Sequence, residues 1–111
     1  MQLDISESGD GGELLFSEYI PGYRMVSQKV TIKNPTGLHL RPAGILCKTA
    51  MDYKSSITFT FKDTTANAKS VLSVLGACVK SGDEIELFCD GADEDEALRD
   101  LVAAIESGLG E

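Results

Sequence analysis

The chain has 111 residues, 42% of them hydrophobic and 25% charged, enough for one domain around one core and too few for two. Its formal net charge of -8 argues against nucleic acid as a direct partner, and no apolar run approaches the ~20 residues that a membrane helix needs. The first residues are acidic where a secretory leader would be basic and then apolar, so the expected compartment is the cytoplasm.

Residues 1–24 hold five acids against Arg24, residues 25–82 hold eight bases against Asp52 and Asp63, and residues 83–111 hold eleven acids against Arg99. The basic middle suits an acidic protein surface. In residues 1–24, glycines and acids surround a brief apolar cluster of Leu14, Leu15, Phe16, Tyr19 and Ile20, closed by Pro21-Gly22. This reads as a flexible extension, with docking as an extra strand the alternative. Met25 opens a self-contained domain spanning 25–111.

Val30 and Ile32 alternate with Thr31 and Lys33, predicting a half-buried strand that stops at Asn34-Pro35-Thr36-Gly37. Pro42 suits a first helical turn, and Ala43, Leu46, Cys47 and Ala50 follow helical spacing to an end near Met51 to Tyr53. Ile57, Phe59 and Phe61 alternate with polar residues in a second strand, and a turn at 62–65 leads into a short return strand around Ala66 to Ala68. Ser70 suits the cap of a second helix running through Val79. Ile85, Leu87 and Cys89 mark a fourth strand, and Asp93 with Glu96 resembles a capping box before a last helix faced by Leu98, Leu101, Val102 and Ile105. The order β-α-β-β-α-β-α, with one apolar face per strand, predicts an α+β fold: an open-faced β-sandwich, a four-stranded antiparallel sheet with three helices on one face.

His39, the one histidine, precedes the first helix within Gly37-Leu38-His39-Leu40-Arg41-Pro42-Ala43. A helix N-terminus offers unpaired N–H groups and partial positive charge to an anion. Arg41 adds a charge-assisted donor for phosphate oxygens, and imidazole is a nucleophile near neutral pH. These are the ingredients of a phosphoryl relay, although one His beside one Arg equally describes an ordinary loop.

That seven-residue run, followed about thirty residues later by Lys69-Ser70 and then by Gly91-Ala92-Asp93-Glu94 before the last helix, resembles the active-histidine signature of the HPr family over residues 25–111. The resemblance implies a phosphocarrier of the sugar phosphotransferase system, itself no enzyme and without a cofactor. In that reading His39 accepts phosphate through Nδ1 from enzyme I, charged by phosphoenolpyruvate, and passes it to enzyme II A domains, while Arg41 cradles the phosphoryl group. It further implies that Ser70 is a regulatory serine for an HPr kinase/phosphorylase and a catabolite control transcription factor. Pro42, Val71, Leu72 and Leu75 then belong to the partner-binding surface of a monomer, although the three apolar residues read equally well as core of the second helix. Leu40 and Cys78 depart from the family's usual residues, and residues 1–24 match nothing in it.

Cys47, Cys78 and Cys89 are widely spaced and read as free buried thiols. A Cys3His metal site would need ligands from four separate elements without paired spacing, so no metal is expected. A cysteine hydrolase built on Cys47 and His39 fails because Cys47 falls on the apolar face of the first helix. Lys69-Ser70 favours the sugar system over a relay for nitrogen or virulence control.

Overall fold

The structure, a computed structural model, describes residues 25–111; the expectations for residues 1–24 lie outside the described residues. The chain runs β1 (Val26–Thr31), α1 (Leu40–Met51), β2 (Ser56–Phe61), β3 (Thr64–Asn67), α2 (Val71–Gly76), β4 (Glu84–Asp90) and α3 (Glu94–Glu106). The four strands form one sheet in the order β1-β4-β2-β3, every neighbouring pair antiparallel. The expected α+β open-faced sandwich is the fold observed.

Alternation places one face of each strand inward. Val30, Ile57, Phe59, Ile85, Leu87 and Cys89 are buried against Leu46 and Ala50 of α1, Val74 of α2 and Leu101 and Ile105 of α3. Each fully buried large side chain contributes roughly 1.5–3 kcal/mol relative to exposure. The opposite face pairs Lys29 of β1 with Glu86 of β4 and sets Phe88 between Ser27 and Thr58. Among the described residues, no helix is long and apolar enough to cross a membrane.

Several boundaries differ from expectation. β1 starts at Val26, ahead of the alternation that begins at Val30, because it pairs with β4 along its whole length from Val26 opposite Cys89 to Thr31 opposite Glu84. α1 is as expected, running from Leu40 with Pro42 in its first turn and the Ala43 N–H donating to the His39 carbonyl at 2.8 Å. α2 ends at Gly76 rather than Val79. Cys78 adopts φ +57°, the left-handed region that ends helices and favours glycine. That turn leaves the Cys78 thiol exposed, not buried as expected, while Cys89 is buried and Cys47 half-buried.

The capping box expected from Asp93 and Glu96 is absent: the Asp93 side chain makes no cap hydrogen bond. Its carboxylate accepts instead from the Lys54 N–H, the Ser55 N–H (both 2.9 Å) and the Ser55 hydroxyl, binding the start of α3 to the chain before β2. Glu94 Oε1 accepts from the Gly91 N–H at 3.0 Å. The same corner is closed by Gly91, where an added Cβ would lie 2.6 Å from the Ser55 backbone. Burial pushes the Cys89 thiol up to about 11, helped by the nearby Glu94 and Asp93 carboxylates.

The Ser55 hydroxyl first, then the Lys54 N–H, hold the Asp93 carboxyl down at about 2. A carboxyl with a folded pKa below its unfolded value stabilises the fold above the unfolded value, and the contribution drains away as pH falls from about 4 through about 2. Urea unfolding of Asp93→Asn should therefore give a lower midpoint than the native chain at pH 7 and a smaller loss between pH 4 and pH 2. At the other end of the sheet, Gly37 has φ +69° and an added Cβ would fall 2.7 Å from the Lys80 Cα and the Val79 carbonyl oxygen. Gly37→Ala combines left-handed strain with a backbone clash, so unfolding should show a loss of about 2 kcal/mol or more.

Candidate functional site

The loop between β1 and α1 is fixed from below and from the side. Ile32 extends the ladder, donating to the Asp83 carbonyl at 2.8 Å while its own carbonyl accepts from Gly82. Buried Asn34 donates through Nδ2 to the Gly37 carbonyl, and the Leu38 N–H donates to the Val79 carbonyl at 3.0 Å. Leu38 is 2% exposed. These contacts hold the next residue, His39, at the N-cap of α1.

His39 has φ -77° and ψ -176°, an extended conformation, and its imidazole makes no capping bond. The side chain is exposed. The N–H groups of the first helical turn have no intrahelical acceptor, and at Leu40 and Arg41 they stand immediately after the imidazole. Pro42 occupies the third helical position, where a missing N–H forfeits no helical bond. Its ring is buried, so the expected place for Pro42 on the partner surface is corrected: it stiffens the helix start from inside. Arg41 is exposed beside His39.

An acidic side chain that sequence reasoning missed completes the rim. The Glu111 carboxylate accepts from the Thr36 hydroxyl at 2.8 Å, from the Thr36 N–H at 3.3 Å and from Asn34 Nδ2 at 3.3 Å. The Thr36 hydroxyl, above all, lowers the Glu111 carboxyl from its ordinary value, and the Arg41 guanidinium adds a smaller pull in the same direction. Seventy-five residues separate Thr36 from Glu111, so no local pattern announces the pairing.

Beside His39 lies an open cavity of about 420 Å³, walled by Leu40, Leu75, Cys78 and Lys80, with Leu38 and Val79 at its base. The structure thus brings the second helix to the histidine. Leu72 is 81% exposed and Leu40 69% exposed, while Val71 and Leu75 are half-buried against the core. Of the expected apolar patch, Leu72 is wholly a surface residue and the other two are shared between core and surface.

Ser70 stands at the N-cap of α2, its hydroxyl accepting from the Ser73 N–H at 3.2 Å. The Ser73 hydroxyl in turn accepts from the Asn67 N–H at 2.9 Å. Lys69 reaches across to the Tyr53 carbonyl at 2.7 Å, and the Cys47 thiol donates to the Lys69 carbonyl at 3.0 Å. Ser70 does not line the cavity. The cysteines stay apart, and among the described residues no group of three or more His, Cys, Asp or Glu side chains is placed to hold a metal ion.

Comparison with known proteins agrees with this geometry. The family described as PTS HPr component phosphorylation site matches residues 26–107. The phosphocarrier protein HPr of Lysinibacillus sphaericus is 37% identical over 77% of this chain and 98% of its own. The HPr-like protein Crh of Bacillus subtilis is 35% identical over 74% of this chain and 96% of its own. The crystal structure of HPr-C-His from Thermoanaerobacter tengcongensis superimposes with a TM-score of 0.75 at 38% identity, covering 78% of this chain and 97% of that one. With the family matched across nearly all of the described fold, the chain belongs to the HPr family of phosphotransferase-system phosphocarriers.

Proposed function

We propose that His39 is the phosphoryl acceptor of this phosphocarrier, taking phosphate from enzyme I and delivering it to enzyme II A domains. The observation that carries the reading is the free imidazole at the N-cap of a twelve-residue helix, with Arg41 beside it. In the forward step the His39 Nδ1 lone pair attacks the phosphorus carried by enzyme I. The new N–P bond forms as the donor's bond to phosphorus breaks, and the donor group leaves with that bond's electron pair. The first-turn N–H groups and the Arg41 guanidinium meet the negative oxygens. Transfer onward repeats the exchange with the next acceptor. Leu40, Leu72 and Leu75 give both partners an apolar seat around the histidine.

The phosphocarrier domain in this reading is residues 25–111, which the family match from residue 26 supports, and it acts as a monomer in the cytoplasm. Incubation with enzyme I and phosphoenolpyruvate should place an acid-labile phosphate on the native chain and none on His39→Ala, with circular dichroism unchanged. Labelling of that variant at the native level would remove His39 from the role. Arg41→Ala loses a charge-assisted contact of about 1.5–3 kcal/mol, so single-turnover transfer should slow by roughly ten- to a hundredfold.

Ser70 is the proposed regulatory site, modified by an HPr kinase/phosphorylase. Its hydroxyl already accepts from a helix N–H, so phosphate oxygens replace one acceptor by another and the fold tolerates a charge of about -1.5 to -2. The added charge lies next to Val71 and Leu72. It repels an acidic enzyme I surface and offers an anchor to a basic partner, a role that suits a catabolite control transcription factor. Protein phosphorylated at Ser70 should accept phosphate at His39 more slowly than unmodified protein at the same fold stability; an unchanged rate would contradict the regulatory role.

A further inference from the structure

Lys80 enters the His39 site from the segment after α2, far in sequence from the histidine run. Its Cα lies against Gly37, where an added Cβ would stand 2.7 Å away, two residues ahead of His39. Three hydrogen bonds hold that backbone in place. The Leu38 N–H donates to the neighbouring Val79 carbonyl at 3.0 Å and the Asp83 N–H to the Lys80 carbonyl at 3.0 Å, while the Lys80 N–H donates to Asp83 Oδ2 at 2.8 Å. The Lys80 side chain is exposed and lines the same open cavity as His39. Among the described residues, no hydrogen bond or ion pair claims its ammonium. Leu38 and Val79 at the base of the cavity, with Leu40 and Leu75 in its walls, keep water from one side of any contact made there, which strengthens the pull between opposite charges. Arg41 reaches the histidine along α1 instead, on the side where it also pulls on the Glu111 carboxylate.

We infer that Lys80 is a second cationic contact for the phosphoryl group on His39, meeting its oxygens from the cavity while Arg41 and the first-turn N–H groups of α1 meet them from the helix. This rests on the reading of His39 as the phosphoryl acceptor. No bond to Lys80 forms or breaks: its ammonium donates hydrogen bonds to oxygens of a phosphoryl group already joined to Nδ1. The contact exists only while phosphate is on His39, so it stabilises the charged carrier relative to the empty one. A guanidinium in place of the ammonium keeps a charge-assisted donor, and a neutral side chain of similar length removes it.

A partition experiment tests it. Equal amounts of the full native chain and Lys80→Met share a limiting pool of phosphoenolpyruvate with a trace of enzyme I, which moves phosphate in both directions until the two carriers equilibrate. Intact-protein mass spectrometry at alkaline pH, where phosphohistidine survives, reads how much of each chain is charged. The native chain should favour its charged form roughly three- to tenfold over Lys80→Met, and Lys80→Arg should match the native chain. Both substitutions leave the backbone bonds of residue 80 intact. Equal partition between native chain and Lys80→Met overturns the inference, even where the variant is charged more slowly, because slow charging at equal partition describes a residue that docks the partner. Where enzyme I leaves every chain uncharged, the reading of His39 fails by itself and inorganic phosphate becomes the probe, followed by the amide shifts of Leu40 and Arg41. Weaker phosphate binding by Lys80→Met, rescued by Lys80→Arg, then upholds the contact, and equal binding overturns it.

Discussion

The position of the His39 imidazole depends on a close approach between two stretches of backbone, Gly37 against Val79 and Lys80. Only a hydrogen atom fits there, since a Cβ would meet backbone at 2.7 Å, and the adjacent Leu38 N–H to Val79 carbonyl bond holds the contact shut. The loop before α1 is thereby tied to the segment after α2. Because Val79 and Lys80 also line the cavity, the same contact that fixes His39 brings the second helix to it. A reactive side chain on a loop becomes as well placed as one on a regular element when the loop's neighbours are this constrained.

The helix start supports the same end by a different route. An N-terminal turn offers donors whether or not an anion is present, and an N-cap side chain ordinarily satisfies one of them. Here the N-cap residue is a histidine that leaves them unclaimed. Pro42 removes one donor at a position where no helical bond is lost and, buried beneath the turn, fixes the backbone angle of the start. The turn gives up a little intrinsic capping energy and keeps its charge available to a visitor. Glu111 provides a counterweight: an acid on the Thr36 rim, electrostatically linked to Arg41.

Much of this was legible in the sequence. Period-two alternation in Ile57, Phe59 and Phe61, and in Ile85, Leu87 and Cys89, located the two central strands, and the His39 to Pro42 run singled out the candidate site. Features decided by distant partners were not legible. Ser27 and Gln28 carry no strand pattern, yet they extend β1 because β4 is long enough to pair with them. Asp93 has the sequence setting of a cap, but the donors of Lys54 and Ser55, brought to it by the sheet corner, claim its carboxylate. α2 looked longer than it is because Val79 continues the apolar spacing; the left-handed turn at Cys78 cannot be read from a residue that usually avoids that conformation. Glu111 on Thr36 lies beyond any local signal for the same reason.

That last contact rests Glu111 on the loop that leads into the first helix. Any segment joined after Glu111 starts its path at the rim of the histidine site. An affinity handle or fluorescent reporter placed there becomes a neighbour of His39, competing for the Arg41 side and adding bulk on the face proposed for docking. β1 begins at the opposite end of the sheet, so the engineering of this fold is asymmetric: the two ends of the domain are not interchangeable places from which to tether, immobilise or fuse it.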